Sequence, residues 1–402
     1  MGESTLKSLP NRIWQNERLS PLLSRISQLT FLLGLLIELT IVILDKSAYT
    51  IQHEGQWFRV TFVLFGISLL TTRHSLKEWI WLFLMGIMAA ISYRATGRNE
   101  ILRFVVFIWA CVGKEMKKVL KGTFWYMAAG CAVLALLAVF GIAGEVSMTA
   151  VYRVEEETRY CFGMGHPNAF HCMMLAITWL GLYCYNEAIK WWGYILIGLA
   201  HFLLYLLTDS RSGFLLSVAS LLLIVILKYK KTIQRKKWPY LVGIIILLAS
   251  VAFSVWIAYY VAHYGLKLPQ WIRRLDAILT GRISTLMSSN RWEGTVSTWS
   301  LWSAPENHYF FDLGIVRIFY WYGIIPAVIY FLAQCRLLWC SCKTKDYMLL
   351  AVTVSITLYT VFEAHYVSVY LGRNYILFFL GMYLQDMLGR KENGKWEEVK
   401  NG

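Results

Sequence analysis

An all-α, polytopic membrane fold of about twelve spanning helices follows from three observations. Hydrophobic residues make up 57% of the chain and charged residues only 16%, a balance foreign to soluble globular domains. Apolar stretches approaching the roughly 20 residues that cross about 30 Å of hydrocarbon recur along most of the sequence. The Lys and Arg residues behind the formal charge of +15 sit in short tracts between those stretches. Insertion bias places cations there, whereas nucleic-acid binding would gather them on one surface.

The spans are expected at 29–44, 57–70, 79–92, 101–112, 124–142 and 168–185, then at 191–207, 212–227, 239–261, 310–332, 347–362 and 374–387. The fourth and twelfth are short, which brackets the count between eleven and thirteen. With the N-terminus inside, the cytoplasmic loops carry Lys114, Lys117, Lys118 and Lys121, then Lys228, Lys230, Lys231, Arg235, Lys236 and Lys237, then Arg336, Lys343 and Lys345. Both termini are then cytoplasmic. Lys7, Arg12, Arg18 and Arg25 precede the first apolar run without the compact design of a cleaved signal, so this segment reads as a cytoplasmic leader. The whole chain, 1–402, is expected to form a single membrane domain.

The eight cysteines show neither a disulfide framework nor zinc-site spacing. The sequence also lacks a nucleotide-binding G-x-x-x-x-G-K-[ST] loop, an H-E-x-x-H pair and a dense carboxylate cluster. No metal or other cofactor is therefore expected.

Two outer loops are long, 144–167 and 263–309, and long loops tend to carry function. In the second, Leu268, Trp271, Ile272, Leu275, Ile278 and Leu279 recur at helical spacing around Arg273 and Arg274, predicting a helix in the membrane interface. No internal repeat is evident.

Ionisable groups at membrane depth are costly unless they face a cavity or a partner. Four outer places hold them. Thr208-Asp209-Ser210-Arg211-Ser212-Gly213 is a tight polar link. Its Arg211 would stand at a helix N-terminus suited to bidentate phosphate contact, or would pair with Asp209 and shape the turn. In Gly163-Met164-Gly165-His166-Pro167-Asn168, Pro167 and Asn168 open a helix, Asn168 as its cap. His166 is left to donate to a phosphate or sugar oxygen. Thr280-Gly281-Arg282, with Arg273 and Arg274 upstream and Arg291 downstream, puts cations where insertion bias does not. An anionic ligand explains them; anionic headgroups are the competing account. Finally Glu306, Asn307, His308, Asp312 and Arg317 crowd the mouth of the tenth span. If that helix includes His308, then His308 and Asp312 lie one turn apart, and either suits a general base. A plain ion-pair cluster is the alternative.

In this order and on one face, these segments resemble the O-antigen polymerase and O-antigen ligase group of bacterial polysaccharide enzymes. The likeness runs roughly from residue 163 to 326. It rests on Gly165-His166-Pro167-Asn168, on Ser210-Arg211-Ser212-Gly213 two helices later, on the long loop with Thr280-Gly281-Arg282, and on Gly323-Ile324-Ile325. The group carries a His-Asn or Asp-Asn pair some eleven residues before the last element. Here that position is Asp312 followed by Leu313, with Asn307-His308 upstream, so the base is His308 or Asp312.

The resemblance implies a GT-C-like architecture and a metal-independent glycosyltransferase at the bacterial cytoplasmic membrane. It would use an undecaprenyl-pyrophosphate-linked oligosaccharide donor on the outer face. Arg211 and Arg282 would neutralise the pyrophosphate, with His166, Asn168, Arg291, Glu306 and Arg317 completing the substrate contacts. The implied partners are the lipid bilayer, a flippase and a chain-length regulator, and no nucleic acid. A repeat-unit polymerase of exopolysaccharide or capsule type is the first expectation. A ligase acting on another acceptor, or a flippase of the lipid-linked saccharide, is the alternative.

Overall fold

The computed structural model describes residues 19–152, 155–279, 281–288 and 292–389. The leader cations Lys7, Arg12 and Arg18, together with Thr280 and Arg291 of the long loop, fall outside these residues. The first half contains α1 (Leu19–Asp45), α2 (Glu54–Leu70), α3 (Leu76–Thr96), α4 (Glu100–Ala110), α5 (Met116–Val139), a hairpin β1 (Ser147–Tyr152) and β2 (Glu155–Tyr160), and α6 (Pro167–Tyr185). The second contains α7 (Trp191–Thr208), α8 (Arg211–Tyr229), α9 (Trp238–Tyr264), α10 (Gln270–Ile278), α11 (Gly314–Tyr322), α12 (Ile324–Thr344), α13 (Tyr347–Phe362) and α14 (Tyr375–Met382).

Among the described residues, seven helices are long and apolar enough to cross a membrane: α1, α3, α5, α7, α8, α9 and α12. Their outward faces show which solvent they suit. On α7, Ile195, Leu196, Leu199, Leu203 and Leu206 are each more than half exposed, an apolar face that water does not tolerate and lipid does. A multi-pass helical membrane protein is the result.

The structure adds detail to the expected loops and helices. The loop 144–167 carries a hairpin: β1 and β2 pair antiparallel with Thr149 opposite Thr158, the two hydroxyls 2.8 Å apart. The tenth helix, expected at 310–332, begins at Gly314 and is broken at Gly323. Gly323 adopts φ 92°, and a Cβ there would stand 2.6 Å from both Ser303 N and Trp302 C. Only glycine lets the loop backbone come this close. The amides past the break are reused, Ile324 donating to the Ser300 carbonyl at 3.0 Å and Ile325 to that of Leu301 at 3.1 Å. Non-helical backbone at membrane depth persists where protein groups satisfy it in this way.

The expected helix in the long loop is α10, but it does not lie free on the interface. Ile272 is buried with Leu268, Ile283, Leu286, Phe311 and Leu313 against Ile257 and Val261 of α9. Trp271 stacks on Trp256 at 5.4 Å. The loop is thus a packed cap with its own small core.

The helix interior also holds an ion pair that hydropathy alone hides. Glu38 of α1 and Arg103 of α4 are both buried, and Arg103 Nη2 donates to Glu38 Oε1 at 2.8 Å. Thr61 donates to the same oxygen at 2.6 Å, the Val369 carbonyl accepts from Arg103 Nη1 at 3.0 Å, and the guanidinium lies 3.7 Å from the Phe58 ring centroid. Removing one partner strands a buried charge. Arg103→Ala should therefore cost about 3–5 kcal/mol, read as a lower melting temperature and loss of monodisperse protein in detergent. Arg103→Met combined with Glu38→Gln should recover most of it. Wild-type stability in Arg103→Ala would show that the pair does not hold α1 to α4.

Candidate functional site

Helix ends and loops opposite the lysine tracts bring together the residues with chemistry. At the centre is Arg282. A turn places it: Gly281, at φ 82°, donates to the Asp276 carbonyl at 2.8 Å, and the Asp276 carboxylate accepts from the amides of Ile283 at 2.6 Å and Ser284 at 3.2 Å. An Asp gripping two successive amides fixes such a turn much as it caps a helix.

Arg282 points into the protein and is buried. Its Nη2 donates to Glu363 Oε1 and lies 3.4 Å from the Ser212 hydroxyl, which itself donates to Glu363 at 3.0 Å. Its Nε stands 3.8 Å from an Asp312 carboxylate oxygen and has no hydrogen-bond partner. A buried donor without an acceptor is the edge on which an incoming anion would gain most.

Glu363 escaped the sequence reading. It caps the C-terminus of α13 and is buried. Burial, reinforced by the charge of Asp312 and opposed by Arg282, pushes its carboxyl up to about 7. A lone acid directly after an apolar run looks like the end of a span, and that was its one signal. Asp312, by contrast, has a half-exposed carboxylate.

The glycine of Ser210-Arg211-Ser212-Gly213 has a packing reason. A Cβ on Gly213 would meet His171 Cδ2 at 2.8 Å. The His171 ring is held by Thr208, at 3.2 Å from Nδ1, and by His201, at 3.5 Å from Nε2. The start of α8, and with it Ser212, is set against this buried pair.

Arg211 is the first residue of α8 and stays more than half exposed, 3.6 Å from Asp209. The turn-shaping pairing is thus present, but weak by distance and exposure. Asp209 is engaged more closely by Arg159 of β2, at 2.9 Å, and Arg159 also binds Glu157 at 2.6 Å. Arg159 was not singled out in the sequence because the loop carrying it gave no sign of a hairpin.

His166, not Asn168, caps α6: its Nδ1 accepts from the Asn168 amide at 3.1 Å. In the neutral ring this leaves the proton on Nε2, free to donate outward. Burial, helped by Arg159 and Lys46, holds His166 below the usual imidazole value, while Asp312 acts in the opposite sense. His166 is thus within electrostatic reach of Asp312 and Arg159.

The mouth of the eleventh helix differs from expectation. Because α11 starts at Gly314, His308 and Asp312 lie in irregular chain, and the expected one-turn pairing on a helix face is not formed. Glu306 and His308 are exposed. Asn307 between them is a brace, its amide donating to the Thr298 and Tyr320 carbonyls at 3.1 and 3.3 Å. Arg317 is buried with its Nε on the Phe311 carbonyl at 3.0 Å and its guanidinium 3.6 Å from the Phe310 ring centroid. It folds the Phe310–Phe311 segment back over α11 rather than facing Arg282's open edge. Arg291 lies outside the described residues.

Among the described residues, no cluster of three or more His, Cys, Asp or Glu is placed to hold a metal. The titration of Glu363 gives a test. Its pKa is raised on folding from 4.5 to about 7, so the stability that this shift supplies is complete at low pH and is lost as pH rises through that interval. The melting temperature of wild type relative to Glu363→Gln should fall from about pH 4.5 to about pH 7 and then level. A difference that ignores pH would show Glu363 ionised throughout. Compared with protein-family models, curated proteins and solved structures, the chain matches none.

Proposed function

We propose that the protein is a glycan polymerase of the membrane, joining polyprenyl-pyrophosphate-linked repeat units on the face opposite its lysine tracts. The observation that carries this reading is the placement of Arg282. A buried guanidinium with one unsatisfied N–H stands between two carboxylates, and an apolar groove lies in the neighbouring part of the bundle. That groove has a volume of about 170 Å³ and runs from Ile315, Thr360 and Ser368 to Leu384 and Met387, with Phe104 and Tyr330 along it. Thr360 is one turn of chain from Glu363. A ligand with a doubly charged head and a long apolar tail fits this geometry better than a free sugar phosphate does.

In the proposed reaction the acceptor hydroxyl attacks the anomeric carbon of the donor glycan. The new C–O bond forms as the bond to the pyrophosphate breaks, and the leaving group departs with that electron pair. Arg282 and the exposed Arg211 take up the developing charge, with His166 Nε2–H as a further donor. Asp312, half exposed beside Arg282, takes the hydroxyl proton. His308, exposed and outside the carboxylate cluster, is the alternative base. The flippase reading needs access from both faces, whereas the polar residues described here gather on one.

Purified protein given the lipid-linked repeat unit should produce a ladder of glycans. A single transfer to a different acceptor would mark a ligase, and lipid movement across a liposome without a new glycosidic bond would remove the enzyme reading. Arg282→Ala should lower the rate by about 10²–10³-fold, the loss typical of one transition-state donor. Arg282→Lys should not rescue it, because the planar fork is lost. Asp312→Asn should abolish the ladder and His308→Ala should leave it; the reverse pattern would move the base to His308.

A further inference from the structure

On the lysine-rich face, α1 and α5 diverge around a cleft of about 340 Å³. Leu32, Leu36 and Leu39 of α1 line its floor, and Lys114, Lys118 and Thr123 its polar side. Three features there lack an explanation inside the chain.

The first is Thr123. It is 1% exposed, yet its hydroxyl has no hydrogen-bond partner. Thr30, Thr40 and Thr178 satisfy themselves on the carbonyl one turn back at 2.8 Å; Thr353 shares the orphan state but lies away from this cleft. An orphan hydroxyl lining a cleft is open to an acceptor from outside.

The second is charge. Lys114 Nζ is held by two neutral hydroxyls, those of Ser27 and, at 3.2 Å, Thr72, and it lacks a carboxylate partner. Burial pulls its amine down to about 8, the mark of a cation short of counter-charge. Lys118 pairs with Glu115 at 2.6 Å, but both side chains are more than two thirds exposed, so an anion displaces that contact at little cost.

The third is shape. From the lysines the floor continues along α1 over Leu32 and Leu36, which are 52% and 45% exposed, toward the membrane's middle. A soluble phosphate would use the lysines and leave the floor bare, whereas a lipid uses both. We infer that this cleft binds one anionic glycerophospholipid, its phosphate between Lys118 and Lys114 and one acyl chain along Leu32, Leu36 and Leu39. The Thr123 hydroxyl donates to an ester or phosphate oxygen. This site is separate from the arginine cluster and does not depend on the proposed reaction.

The test uses the full chain in nanodiscs of phosphatidylcholine with phosphatidylglycerol, released into the gas phase for native mass spectrometry. Wild type should retain one phosphatidylglycerol in preference to phosphatidylcholine. Lys118→Ala should weaken that retention roughly fivefold, the usual effect of one lysine at an anionic surface. Thr123→Val, which keeps the side-chain shape, should weaken it further. Lys236→Ala, an exposed lysine elsewhere on the same face, should leave it unchanged. If Thr123→Val fails to fold, Lys118→Gln at its exposed position still decides the matter. Equal retention of phosphatidylcholine, or unchanged retention in the Lys118 variants, would overturn the inference.

Discussion

Two charges that neither water nor hydrocarbon would hold singly, Arg282 and Glu363, meet at the end of α13, and the architecture of the long loop serves that meeting. Glu363 stands at a helix C-terminus, where the backbone carbonyls already disfavour a carboxylate. A cation from another element must compensate it, so the loop between α9 and α11 has to close over the bundle. Each anchoring contact of that loop contributes. Asp276 fixes the turn that aims Arg282. The cluster around Ile272, Leu286 and Phe311 presses the loop onto α9. The stretch 300–303 enters the break at Gly323, and Asn307 ties the loop to α11 through the Tyr320 carbonyl while Arg98 of the α3–α4 link donates to the Asn307 carbonyl at 3.0 Å. Without the loop, a buried acid would face hydrocarbon alone.

The same principle explains which parts of the molecule could be read from residues alone. Helices announce themselves by composition because lipid rewards apolar surface in every direction, so α7 and α9 were legible to within a few residues. Arg211, Arg282 and His166 were legible for the opposite reason: each sits where insertion chemistry gives no cause for it. Partners were not legible. Glu38 and Arg103 lie 65 positions apart, and Arg282 and Glu363 lie 81 apart; a lone acid inside or after an apolar run carries no mark of its counter-ion. The break at Gly323 was hidden likewise, since one glycine in an unbroken apolar run reads as helix until the chain that packs on it is known. The His308 and Asp312 relation failed because it assumed a helix, and Leu313 at the cap position ends the irregular chain one residue past Asp312.

Of the arginines read from the sequence, Arg282 is already matched to Glu363 and Asp312, and two that the sequence did not single out are matched likewise: Arg159 to Glu157 and Asp209, and Arg373 to Asp45 at 2.5 Å. On a binding surface this pairing has a physical use. An uncompensated cationic cavity at membrane depth would be costly while empty, and it would trap any anionic headgroup diffusing past. Under the proposed reading, carboxylates would hold the guanidinium groups in place until a better acceptor arrives.

Under the proposed reading, exchange is cheapest at Arg282. Its Nε has no hydrogen bond to give up, and Glu363, held near neutrality by burial, can take a proton instead of repelling the incoming pyrophosphate. Glu363 would then leave Arg282 with more net positive charge as the phosphate approaches, while Asp312, more exposed, stays available to the acceptor. Two carboxylates on one arginine, pushed apart in burial, are thereby suited to two tasks, one to relinquish the cation and one to receive a proton. The buried ion pair that closes the loop would also be the element that substrate opens.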